Sequence, residues 1–138
     1  MSYPPQPPQP PQQPQQPMYP AQGQPPYGPQ PVSPSDARTM SLLAHIGGPV
    51  VGFVAPLVIF LIYKDRDGFV RYNSLEALNF QIFLAIAYVV SMITMFVGVG
   101  FLLFFAVWIC SIVFAIQGAI AANRGQPYRY PVSLRLVS

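Results

Sequence analysis

The segment Val-Arg-Tyr-Asn-Ser-Leu-Glu-Ala-Leu-Asn-Phe-Gln, residues 70–81, places Arg71, Asn73, Glu76, Asn79 and Gln81 at the head of a long apolar run. Two kinds of chemistry suit these residue types. Asn73 followed three positions later by Glu76 is the pattern of a helix N-cap with an acid at N3, where side chains satisfy the first unpaired backbone donors. A carboxylate there also meets the positive end of the helix dipole. The other reading uses the spacing. Asn73, Glu76 and Asn79 recur every three residues, and so lie within about 120° of one helix face at about 100° per residue. Asn79 is two turns in, beyond the reach of a cap. Polar groups at that depth face a bundle interior or a wet cavity. Capping is the expectation for Asn73 and Glu76. The shared face is either a hydrogen-bonding surface for another helix or the lining of a path for a polar substrate.

Other chemistry is sparse. His45 is the single histidine, beside Gly47-Gly48, and reads as an interfacial or helix-bonded imidazole rather than a proton relay. Asp65-Arg66-Asp67-Gly68 has the start of a calcium loop without its remaining oxygen ligands or terminal glutamate, and reads as a charged turn. Cys110 has no partner for a disulfide and fits no metal spacing. No nucleophile–base pair, metal cluster or phosphate loop is present. The expectation is a protein without catalytic residues, cofactor or metal, and not an enzyme.

Helices must position these residues. Only 8% of the chain is charged, against about 25% in soluble domains. The first 35 residues are poor in large aliphatics, so the remainder is strongly apolar and points to a membrane. Three hydrophobic segments follow: about 41–63, 75–97 and 101–122. A lipid-spanning segment must satisfy its own backbone, so each is helical. The fold class expected is all-α, a helical integral membrane protein with a transmembrane domain over 36–138. Its first segment is kinked or split by Gly47-Gly48-Pro49 and Pro56, with the break near Gly48. Either 36–47 is an interfacial helix before a short crossing, or 40–63 is one kinked span. Ser35 and Asp36 offer cap chemistry at its start. In the third segment Ser111, Ala115 and Ala119, with Gly118 and Ala122, form a small-residue face for close helix packing, internal or between protomers. Gln117 beside it can bond across.

Residues 1–35 hold 14 of the 18 prolines and nine glutamines, with no charge before Asp36. Proline removes backbone donors, and little apolar surface offsets ordering, so a disordered tail is expected. It is either a ligand for a Pro-rich-motif-binding partner or a solvated tail. Lys64, Arg66 and Arg71 in the 64–74 loop, and Arg124, Arg129 and Arg135 in the C-terminal tail, outnumber Arg38. This asymmetry puts loop and C-terminal tail in the cytoplasm, in a bacterial inner membrane. The N-terminal side stays open. Three crossings put it outside, and a re-entrant hairpin over 36–63 puts it inside.

Residues 64–81, Lys-Asp-Arg-Asp-Gly-Phe-Val-Arg-Tyr-Asn-Ser-Leu-Glu-Ala-Leu-Asn-Phe-Gln, resemble the central motif of the Tic-twenty-like family of small bacterial membrane proteins. Residues 125–136, Gly-Gln-Pro-Tyr-Arg-Tyr-Pro-Val-Ser-Leu-Arg-Leu, are similar to that family's closing motif. The resemblance covers about 36–136. It marks Phe69, Val70, Arg71, Glu76, Ala77, Leu78, Asn79, Phe80 and Gln81, then Gly125, Tyr128, Arg129, Tyr130, Pro131 and Arg135. Asn73 departs from it, since that family often carries histidine there. The resemblance implies a helical membrane protein with a link to translocation. The leading expectation for function is a non-catalytic packing or interaction unit of a membrane assembly. Its partners would be the bilayer, further copies of the chain or other membrane proteins, and not nucleic acid. The alternatives are a channel or translocation subunit lined by Glu76 and Asn79, and a membrane-anchored adaptor using the proline-rich tail.

Overall fold

The computed structural model describes residues 31–138, so most of the expected proline–glutamine tail lies outside the described residues. Among these, the regular structure is all helical: α1 (Pro34–Val51), α2 (Val54–Tyr63), α3 (Gly68–Thr94) running into a 3₁₀ turn (Met95–Val97), and α4 (Val99–Asn123). Residues beyond Asn123 carry no regular structure.

Local chemistry sets each boundary. The cap of α1 is Ser33, two residues before the Ser35 expected. Its hydroxyl accepts from the Asp36 N–H at 3.1 Å, and Pro34 follows at the first helical position. Proline fits there because its missing donor is unused in any helix. The break expected near Gly48 falls instead at Gly52-Phe53. Pro49 is within the last turn of α1, where it removes one bond without ending the helix. Gly52 ends it, with φ 64° and ψ −145°, a conformation open to residues without a Cβ. Pro56 does not interrupt α2. It is the third residue of that helix, where the N–H has no intrahelical partner anyway.

The first hydrophobic segment is therefore split into two helices that fold back on each other. The close approach of α1 to α2 is marked at Gly47, where a Cβ would collide with that of Ala55. The start of α1, the 64–67 turn and Gly125 come together at one end, where Pro34, Arg38, Asp67 and Gly125 line one cleft. At 10 residues, α2 is about 15 Å long, half a hydrocarbon core.

Helices α3 and α4 are the long elements, joined by Gly98 in a left-handed conformation. Both are long and apolar enough to cross a membrane. Only 22% and 17% of their most apolar windows are buried, unlike the core helix of a soluble protein. Phe96 and Leu102 are 96% and 72% exposed. The chain is an all-α membrane protein, with α1 packed against both α3 and α4. The small-residue face of α4, Ser111, Ala115, Gly118, Ala119 and Ala122, is buried inside the fold.

A hairpin of α1 and α2 predicts that Ser35 and Ser138 are reached from one side of the membrane. Single cysteines at these positions, in a Cys110→Ala background, should both react with an impermeant maleimide from the same face of sealed vesicles. Labelling from opposite faces would contradict the hairpin.

Candidate functional site

The polar residues of α3 are not at its start. Asp67 is the cap, its carboxylate accepting from the Val70 N–H at 2.8 Å, and the helix begins at Gly68 rather than near 75. Capping by Asn73 and Glu76 is thereby overturned. An aspartate already stands where the chain leaves the charged turn, and nothing between Gly68 and Asn73 stops a helix. Asn73, Glu76 and Asn79 lie one to three turns inside, on one face, and all three are buried.

That face is covered by the C-terminal segment, residues 126–138. Asn79 binds its backbone on three sides. Its Oδ1 accepts from the Leu136 and Val137 N–H groups, both at 2.9 Å, and its Nδ2 donates to the Val137 carbonyl at 2.9 Å. Glu76 accepts from the Tyr130 N–H at 3.4 Å and takes a two-pronged contact from the Arg135 guanidinium, Nε to Oε1 at 3.2 Å and Nη2 to Oε2 at 3.4 Å. Asn73 accepts from the Tyr128 N–H at 3.3 Å and donates to the Phe69 carbonyl at 2.9 Å. A segment without helical bonds thus has its peptide groups met by one ladder of side chains, as buried backbone requires.

His45 ties α1 into the same cluster. Its Nε2 lies 3.1 Å from Asn73 Oδ1 and its Nδ1 2.8 Å from the Tyr130 hydroxyl. Asn73 Oδ1 only accepts, so Nε2 carries the hydrogen, and in the neutral ring Nδ1 accepts from Tyr130. Burial holds the Tyr130 phenol well above its ordinary pKa, with Tyr128 and Glu76 adding to the shift, so it remains a donor. Burial also raises Tyr128. The Tyr130 ring stacks on Phe80 at 4.0 Å between centroids and 14° between planes, and Phe80 meets Phe114 edge-on. Gly118 gives His45 its room, since a Cβ there would come within 2.7 Å of Nδ1.

Of the residues expected at a site, Asn73, Glu76 and Asn79 converge with Tyr128, Tyr130 and Arg135. Arg71, Arg129 and Pro131 are exposed and stand outside the cluster. Gly125, at φ 72°, turns the chain out of α4. Gln81 faces another way. It lies against Gly48 of α1 and lines a cleft of about 240 Å³ with Tyr88, Trp108 and Ser111. The aromatic floor of Phe80 and Phe114 was not expected. Of the two readings of His45, the helix-bonded one holds: the ring is buried and bonded to Asn73 of α3 as well as to Tyr130. The pairing of two tyrosines two residues apart in the tail was the signal for that floor, because an extended chain sends both to one side. Gln117 does bond across, but to the tail, accepting from the Tyr128 hydroxyl at 3.0 Å.

Each lost contact should free the tail measurably. Asn79→Leu leaves three backbone groups unsatisfied at about 1–3 kcal/mol each. It should therefore raise the initial rate of tryptic cleavage after Arg135 by at least about tenfold in detergent micelles. Unchanged cleavage would mean that the tail is not held by Asn79. Gly118→Val forces His45 from its place and should lower the thermal midpoint by several degrees, with Ala115→Gly as a milder comparison. An unshifted midpoint would remove His45 from the packing of α1 on α4.

Residues 36–137 match the magnetosome magnetite crystal formation protein family, MamF/MmsF. No curated protein and no solved structure matches the chain. The match corrects the Tic-twenty-like resemblance. That resemblance rested on two short motifs inside the matched range, and these are the two sides of one intramolecular contact, the α3 ladder and the tail it holds. Spanning most of the chain, the match shows that this protein belongs to the magnetosome magnetite crystal formation protein family.

Proposed function

We propose that the protein is a non-catalytic packing and interaction unit of a membrane assembly, acting in the membrane at which its family's magnetite crystals form. The observation that carries this reading is the occupation of the polar face. Glu76 and Asn79 direct their hydrogen bonds to the chain's own residues 130–137, Asn73 bonds Phe69, His45 and Tyr128, and large apolar side chains remain on the outside of α3 and α4. A side chain already bonded to a fixed backbone is a poor lining for a conduction path, which weighs against the channel alternative. The exposed apolar faces suit lipid, further copies of the chain or other membrane proteins.

In this reading the loop between α2 and α3 and the C-terminal segment are cytoplasmic, following the basic residues. The start of α1 lies on the same side. An adaptor role for the proline–glutamine segment can coexist with the packing role.

Photo-crosslinkers placed in cells at Val90 and Leu102, on the outer faces of α3 and α4, should capture membrane proteins or a second copy. One at Tyr130, inside the cluster, should capture only the chain itself. In reconstituted planar bilayers the full chain should add no conductance. A conductance that changes with Glu76→Gln would overturn the reading in favour of a channel. Co-purification lost on deleting residues 1–34, with outer-face crosslinks absent, would favour the adaptor alone.

A further inference from the structure

Two stripes of side chains face each other across the seam between α1 and α4. On α1, Arg38, Leu42 and Ile46 follow at four-residue spacing, and on α4 so do Ile116, Ile120 and Arg124. Residues four apart lie on one helix face. The helices run in opposite directions here, so both stripes have their arginine at the loop end and their isoleucine deeper. Leu42, Ile46, Ile116, Ile120 and Arg124 line a groove of about 430 Å³ open to the outside of the bundle. Arg38 stands one helical turn beyond Leu42 on α1, in the adjoining cleft with Pro34, Asp67 and Gly125. Its guanidinium rests against the backbone next to Arg124, where a Cβ on Gly125 would be 3.1 Å from its Nε.

The groove has an apolar depth and a cationic mouth. From residue 116 to residue 124 the rise is about 12 Å, close to one half of a hydrocarbon core about 30 Å thick. Neither Arg38 nor Arg124 has an ion-pair partner among the described residues. Asp67 shares a cleft with Arg38, but its carboxylate is engaged with the Val70 N–H at the start of α3. Two unpaired guanidiniums from opposite walls, above a slot of branched aliphatic side chains, complement a phosphate attached to an acyl chain. They do not complement a zwitterionic headgroup to the same degree, because its ammonium would face them.

We infer that the seam between α1 and α4 is a binding site for one anionic phospholipid. Its phosphate is held by Arg38 and Arg124, and the upper part of an acyl chain lies between Leu42, Ile46, Ile116 and Ile120. The lipid comes from the leaflet at the loop end. Bound there, it bridges α1 to α4 on the outside while His45 bridges them on the inside. The site does not depend on the proposed packing role.

The test is native mass spectrometry of the full chain in detergent, offered equimolar phosphatidylglycerol and phosphatidylcholine with identical acyl chains. The first bound lipid should favour phosphatidylglycerol by about fivefold, as expected for a basic side chain at a membrane surface. Arg38→Gln combined with Arg124→Gln should bring the two lipids to near equality. Lys64→Gln, a charge at the same end but off the groove, should leave the preference in place. Ile120→Trp, which fills the slot, should reduce retention of both lipids. Equal retention by the unaltered chain overturns the site, as does a preference that survives the double substitution. A preference lost equally with Lys64→Gln would show a general charge effect and no site. A lipid-free dimer as the main species would give the seam to a second copy of the chain.

Discussion

A backbone that runs outside any helix yet is buried against one must find partners for its peptide groups within the protein, because burial takes water away from them. Residues 126–138 are such a backbone, and α3 carries their partners. Asn79 supplies an acceptor and a donor to Leu136 and Val137, Glu76 an acceptor to Tyr130, and Asn73 an acceptor to Tyr128. The glutamate is tolerated because its charge is met by Arg135, which reaches it from the half-exposed side. An unpaired carboxylate at that burial would be strongly unfavourable.

The rest of the polar chemistry follows from this contact. Tyr130, brought in by the tail, presents its hydroxyl to His45 and its ring to Phe80. His45 then fixes α1, and Gly118 lets α4 come close enough to complete the packing. Helices α1, α3 and α4 and the C-terminal segment thus meet at one cluster. The apolar surfaces of α3 and α4 are left for the membrane and its other components.

Much of the architecture was legible in the sequence. The long uncharged runs identified helices, and small residues at four-residue spacing identified the buried face of α4. Boundaries were less legible. Asp67 and Ser33 cap earlier than expected because caps depend on where the chain leaves a turn, which composition does not show. Pro49 and Pro56 looked like interruptions, but each occupies a terminal turn where its lost bond matters little. The candidate site was half legible. The spacing of Asn73, Glu76 and Asn79 marked one polar face. Its partner lies 54 to 59 residues further along the chain, and no local pattern connects the two. For the same reason two short motifs suggested one family while the match over 36–137 assigned another.

The central claim is that α3 holds the tail through its peptide groups. Amide hydrogen exchange, resolved by residue for the chain in lipid nanodiscs, tests it most directly. The Tyr130, Leu136 and Val137 amides should exchange at least about 100-fold more slowly than in an unstructured peptide, while that of the exposed Arg129 exchanges fast. Exchange of all four at the rate of an unstructured peptide would contradict the account.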